Sequence, residues 1–290
     1  DGARLVTASQ DGTAKVWDAN TGKELMTLTG HDHVIWSASY SPGGDRIVTS
    51  GVDGTAKVWD AQSGKELMTL IGHGIRVQSA AYSPDGRRIV TASFDKTAKV
   101  WDAQTGKELM TLKGHGSRVQ SAAYSADGDR IVTASGDAKV WDAQSGKELM
   151  TLIGRDSWVA SAAWSPNGQR IVTAGGKTAK VWDADTGQEL MTLIGHDEGV
   201  RSAAYSPDGA RIVTASNDKT VKVWDADTGQ ELMTLTGHDS WVASAAWSPD
   251  GARIVTGGSD DKTAKVWDAD TGQELLTLKG HDSRVASAAY

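Results

Sequence analysis

From Val77 to Tyr82 the chain alternates, with Val77, Ser79 and Ala81 on one side and Gln78, Ala80 and Tyr82 on the other. That is the two-residue period of a β-strand. Ser83-Pro84-Asp85-Gly86 then reads as a tight turn, because proline presets φ, aspartate caps the backbone and glycine accepts a positive φ. Arg88 to Ser93 carries the β-branched run Ile89-Val90-Thr91, and Asp95-Lys96 turns the chain again. Thr97 to Asp102 is a third strand, and after Thr105-Gly106 a fourth runs from Glu108 to Leu112. Four short antiparallel strands joined by tight loops make one blade of a propeller.

The unit recurs. Trp17-Asp18, Trp59-Asp60, Trp101-Asp102, Trp141-Asp142, Trp182-Asp183, Trp224-Asp225 and Trp267-Asp268 are spaced by 42, 42, 40, 41, 42 and 43 residues. A period of that size marks a radial repeat, in which each unit buries its apolar face only by stacking on its neighbours. The chain opens in a second strand, Arg4 to Ser9, and closes with a lone first strand, Val285 to Tyr290. With six units in between, the expectation is an all-β, seven-bladed propeller spanning 1–290 as a single domain. Residues 1–29 and 283–290 would form the closing blade. Pairing the two ends removes an open strand edge and a bare inter-blade face. Tyr40, Tyr82, Tyr124, Trp164, Tyr205, Trp247 and Tyr290 end the first strands, so these residues and the tryptophans of Trp-Asp form two aromatic rings.

Gly-His before the first strand, Ser-Pro-Asp-Gly, the Asp of the second turn and Trp-Asp after the third strand resemble the WD-repeat β-propeller family. The resemblance covers the whole chain. It implies a chain of hydrogen bonds through His, Thr, Asp and Trp within a blade. The matching residues are His31, Thr49, Asp53 and Trp59; His73, Thr91, Asp95 and Trp101; His196, Thr214, Asp218 and Trp224; and His238, Thr256, Asp261 and Trp267. His281 would join Thr7, Asp11 and Trp17 from the other end of the chain. His115, Thr133, Asp137 and Trp141 are present, but Ser135-Gly136-Asp137-Ala138 makes a turn two residues short. In the next repeat Arg155 replaces the histidine and Ala174-Gly175-Gly176-Lys177 lacks the aspartate, so both partners are lost together.

Composition narrows the function. The net charge is −7, the pI is near 5.5 and Lys and Arg recur evenly, which disfavours nucleic acid. There is no cysteine and therefore no thiolate site or disulfide. No apolar run suits a membrane span and no signal peptide opens the chain, so a cytoplasmic protein with no membrane partner is expected. Asp1 falls in mid-repeat, as in a piece of a longer protein or a trimmed chain. His, Asp and a hydroxyl together invite a hydrolase reading, but the set recurs in most repeats and G-x-S-x-G is absent, so no enzyme is expected. His31-Asp32-His33 lacks a third ligand, so neither metal nor other cofactor is expected.

Variation concentrates where a partner would touch. Three residues past the His position stand Val34, Arg76, Arg118, Trp158, Gly199, Trp241 and Arg284. Five past it stand Trp36, Gln78, Gln120, Ala160, Arg201, Ala243 and Ala286, and Phe94 precedes a turn Asp. Period two places these first-strand residues on one face, and Arg and Trp are enriched in binding hot spots. The rim set is therefore Val34, Trp36, Arg76, Gln78, Phe94, Arg118, Gln120, Trp158, Arg201, Trp241 and Arg284, with Phe94 and the rim tryptophans at least partly exposed. Resemblance to WD-repeat proteins implies a scaffold for signalling or regulatory complexes, or a sensor module like those attached to prokaryotic signalling proteins. The partner would be a protein or peptide and the chain a monomer. Self-association as a structural repeat, and a small ligand at the channel mouth, are the alternatives.

Overall fold

The computed structural model describes residues 2–152 and 158–290; the expectation about Arg155 lies outside them. Seven four-stranded antiparallel sheets form the blades, six of them in sequence order from the axis outward. Blade 1 takes its inner strand, Val285–Ala289, from the far end of the chain and pairs it with Arg4–Ser9. Blades 2 to 7 follow in order. The inner strand has six residues in blade 3, Val77–Tyr82, and four in blades 4 and 5, Ser121–Tyr124 and Ser161–Trp164.

Trp and Asp of each pair do different work. Asp102 faces solvent and accepts the amide and hydroxyl of Thr105, both at 2.7 Å. This closes the turn into the outer strand around Gly106, whose φ is 71°. Trp101, one residue earlier, is buried. The residue before each His is glycine for a related reason: a Cβ on Gly72 would stand 3.0 Å from the Trp101 ring.

The core lies between blades rather than within them. Val90, Val100 and Leu112 of blade 3 pack on Tyr124, Ile131 and Trp141 of blade 4. The same cluster recurs at every junction, including the seam, where Leu5 and Trp17 meet Val255, Val266 and Val285. Each such aliphatic side chain contributes roughly 1.5–3 kcal/mol on burial. Tyr82, Tyr124, Trp164, Tyr205 and Trp247 form the second buried aromatic ring, with Tyr40 and Tyr290 half-buried.

Two circles of polar bonds tie the blades together. Ser37 accepts the amide of Ala80 at 3.1 Å and Ser79 that of Ala122 at 3.2 Å. Ser121, Ser161, Ser202 and Ser244 repeat this with Ala162, Ala203, Ala245 and Ala288, and Ser287 closes the circle on Ala38. Each bond satisfies an inner-strand amide that the strand ladder leaves unused. Nearer the other end, the arginine that opens each second strand donates to a carbonyl of the following blade. Arg46 reaches Ala103 and Arg88 reaches Ala143, each at 2.8 Å, and Arg253 reaches Ala19 across the seam.

Candidate functional site

Six blades hold the His–Thr–Asp–Trp chain. In blade 3, His73 Nδ1 lies 2.7 Å from Asp95 Oδ2, its Nε2 lies 2.7 Å from Thr91 Oγ1, and the Trp101 indole donates to the same hydroxyl at 2.8 Å. One proton arrangement satisfies all three contacts: the imidazole is neutral, Nδ1–H donates to the carboxylate, and Thr91 donates to Nε2 while accepting from the indole. Burial, the largest cause, lowers the pKa of His73, His115, His196 and His281 against the opposing pull of their aspartates. Burial acts the other way on Asp95, yet hydrogen bonds from Thr97 and His73 hold its carboxyl below the usual range.

The seam blade assembles its set from both ends of the chain, with His281 2.8 Å from both Thr7 and Asp11. The shortened turn of blade 4 still brings Asp137 to His115, at a longer 3.1 Å. Blade 5 keeps Trp182 on Thr173 at 2.8 Å. In these repeated sets the Thr is buried and the Asp half-buried, and in blade 3 the hydroxyl, imidazole and carboxylate are bonded to one another. Among the described residues, no group of three or more His, Cys, Asp or Glu is placed to hold a metal ion.

The variable positions separate into two zones. All seven residues five past the His position line one hollow of about 270 Å3 at the channel mouth: Trp36, Gln78, Gln120, Ala160, Arg201, Ala243 and Ala286. Of those three past it, Trp158, Trp241 and Arg284 reach the same hollow, as do the turn residues Gln10 and Asn217. Arg76 and Arg118 lie farther out, in a second hollow with Phe94 and Ile75. Val34 is half-buried and lines neither hollow.

Arginine and aromatic rings alternate around this face. Arg201 lies 5.3 Å from the ring of Trp158 and 5.9 Å from that of Trp241, and Arg284 lies 5.9 Å from Trp241 on its other side. Asn217 Oδ1 accepts from Arg201 Nε at 2.7 Å, and Asp260 pairs with Arg284 at 2.6 Å. Across the mouth, Arg76 lies 3.5 Å from the centre of the Phe94 ring and 5.0 Å from that of Trp36, while Arg118 stands 4.8 Å from Phe94. Such contacts, each worth about 0.5–2 kcal/mol, hold long side chains in fixed positions.

One expectation needs correction. Phe94 is only 9% exposed, because Arg76 covers its ring, whereas Trp158 and Trp241 are 36% and 42% exposed. Sequence reasoning also missed Asn217 and Asp260 as partners of the rim arginines. Both stand just before the turn Asp, as Phe94 does, at a position that varies from repeat to repeat, and that variation was the available signal.

The family described as WD domain, G-beta repeat, matches residues 1–18, 22–60, 64–102, 106–142, 146–183, 187–225 and 229–268. A stretch of 45 residues is 44% identical to Dynein assembly factor with WD repeat domains 1 of Mus musculus, covering 15% of this chain and 11% of that protein. Nuclear distribution protein PAC1-2 of Postia placenta is 42% identical over 43 residues, 15% of this chain and 10% of its own length. WD40 repeat-containing protein HOS15 of Arabidopsis thaliana is 44% identical over 41 residues, 14% and 7% of the respective chains. In each case the likeness extends over about one repeat and a small share of the relative.

Proposed function

The chain belongs to the WD-repeat family of β-propellers, and on that premise we propose that it is a non-enzymatic interaction scaffold or sensor module that grips a protein or peptide partner at the channel mouth. The observation that carries this is the contrast between frame and mouth. Seven blades repeat Ala-Lys-Val-Trp-Asp-Ala or Val-Lys-Val-Trp-Asp-Ala, yet the hollow at the mouth is lined by positions that differ from blade to blade. Trp158 and Trp241 stand half-open there, with Arg201 between them. Exposed tryptophan beside positioned arginine is the composition that dominates interface energetics. A signalling or regulatory role, which membership of the family supports, and a cytoplasmic setting belong to the same proposal.

The test is affinity capture from a native extract with the parent chain and with Trp158→Ala plus Trp241→Ala. We expect a partner retained by the parent and lost by the variant, with both proteins melting alike. An identical set of captured proteins would overturn the assignment of the mouth.

A further inference from the structure

Arginine serves two purposes in this molecule. The seven that open the second strands are tied to carbonyls of neighbouring blades and are part of the frame, as with Arg46 on Ala103. Arg76 and Arg118 are different. Neither has a carboxylate or carbonyl partner among the described residues, although the chain as a whole carries a net charge of −7. Asp53 lines the same hollow, but it is committed to His31 at 2.6 Å and to Thr55.

We infer that the Arg76–Phe94–Arg118 cluster is an anchoring subsite for an acidic side chain of a partner peptide. This rests on the reading of the mouth given above and names the chemistry recognised beside it. The two guanidiniums share one aromatic ring, at 3.5 and 4.8 Å from its centre, so they converge on one hollow without waiting for a ligand. Preorganised, planar forks of N–H donors match a carboxylate in two-point fashion. Two like charges held this close repel each other, and burial adds to the cost. Both effects, burial first, hold the Arg76 pKa below its ordinary value. An incoming anion relieves that repulsion, so part of the binding free energy is already stored in the free protein. The local balance of donors agrees. Arg76 Nε is a buried donor with no acceptor among the described residues; in the adjoining mouth hollow Trp36 Nε1 is another, against one unused acceptor, Gln78 Oε1. Ile75, half exposed at the edge of the hollow, supplies an apolar contact for the stem of the guest side chain.

The experiment is selection of random dodecapeptides displayed on phage against the intact chain, followed by titration of synthetic hits. Selected peptides are expected to carry Asp or Glu. Replacing that residue by Gln, or the protein's exposed Arg118 by Glu, should raise Kd about tenfold or more, and salt should weaken binding in the parent only. Arg76→Gln with Arg118→Gln is a second variant that removes charge without reversing it. Peptides that lose affinity in Trp158→Ala plus Trp241→Ala but ignore Arg118→Glu would overturn the acidic anchor and leave the mouth as the binding face. Peptides indifferent to both sets of changes, or no binder at all, would overturn both.

Discussion

Ser287, three residues from the end of the chain, accepts the backbone amide of Ala38 at 3.1 Å. It is the last link of a circle that otherwise runs through Ser37, Ser79, Ser121, Ser161, Ser202 and Ser244. The seam is thus made with the same chemistry as every other junction.

Deleting Arg284 to Tyr290 removes the inner strand of blade 1, whose Val285 and Ala288 sit in the seam core. The remaining faces of blades 1, 2 and 7 would be left bare. We expect aggregation or a broad, uncooperative transition in scanning calorimetry. Ser287→Ala alone should leave the ring closed and cost about 1 kcal/mol, the worth of one neutral hydrogen bond.

Asp95→Ala should destabilise the fold by about 1–3 kcal/mol in urea unfolding, because His73 Nδ1 is left buried without an acceptor. Asp95→Asn, which keeps an acceptor oxygen, should cost less. Equal losses in the two variants would show that charge, not hydrogen bonding, is what His73 requires.

Acid should weaken the protein in two stages. His73, His115, His196 and His281 have folded pKa values below the ordinary 6.5. Between the folded and ordinary values the unfolded chain binds more protons, so stability is full above about pH 6.5 and falls as pH drops below it. Asp11, Asp95, Asp218 and Asp261 are also lowered, through hydrogen bonds that outweigh burial. Their contribution is present above their ordinary value near 3.8 and is lost as pH falls through the folded values. Melting temperature should therefore decline from about pH 7 to about pH 5 and decline again below about pH 4. A flat profile across the first interval would contradict the neutral-imidazole arrangement.

Lys96, Lys219 and Lys262 adopt φ of 71°, 71° and 58° in the turn where Gly12 and Gly54 stand in blades 1 and 2. A left-handed conformation costs an L-residue about 1–2 kcal/mol, partly offset by the extra unfolded-state freedom of glycine, about 0.5–1 kcal/mol. Each Lys→Gly change should stabilise by up to about 1 kcal/mol and raise Tm by roughly 2–4 °C. No rise in any of the three would mean that the lysine side chains make compensating contacts.

The two classes of tryptophan should separate cleanly by unfolding. Trp182→Ala removes a buried ring bonded to Thr173 and should cost about 3–5 kcal/mol. Trp158→Ala or Trp241→Ala, at half-exposed positions, should cost less than about 1 kcal/mol. Comparable losses would place the mouth tryptophans in the core.

Much of the fold was legible because its signals are periodic. Strand alternation, the spacing of Trp-Asp and the matching fragments at the two ends specify seven blades and their closure. The His–Thr–Asp–Trp sets were legible through the family resemblance, even though the separation of Thr and Trp changes with the length of the turn between them, from 8 residues in blade 4 to 11 in blade 7. The serine circle was not, since Ser37 and its equivalents are single small residues, each followed by alanine, in a period-two strand. Their bonds join blades about 42 residues apart, a distance that no local pattern encodes. The frame arginines were hidden in the same way, as turn-flanking charges. Phe94 misled for another reason: its exposure depends on where Arg76, 18 residues earlier, lays its guanidinium, and a turn position alone does not show that.

A closed circle has no first link. Because Ala38 finds on Ser287 what Ala80 finds on Ser37, the place where the polypeptide is cut is chemically arbitrary. A gene rearranged to start at Glu66 or Glu189, with the present ends joined by a short linker, should yield the same seven junctions in the same spatial order. The sequence of blades along the message and their arrangement around the axis are then separable properties. A rearranged chain offers a way to hang a cargo from any chosen sector of the ring while the mouth stays as it is.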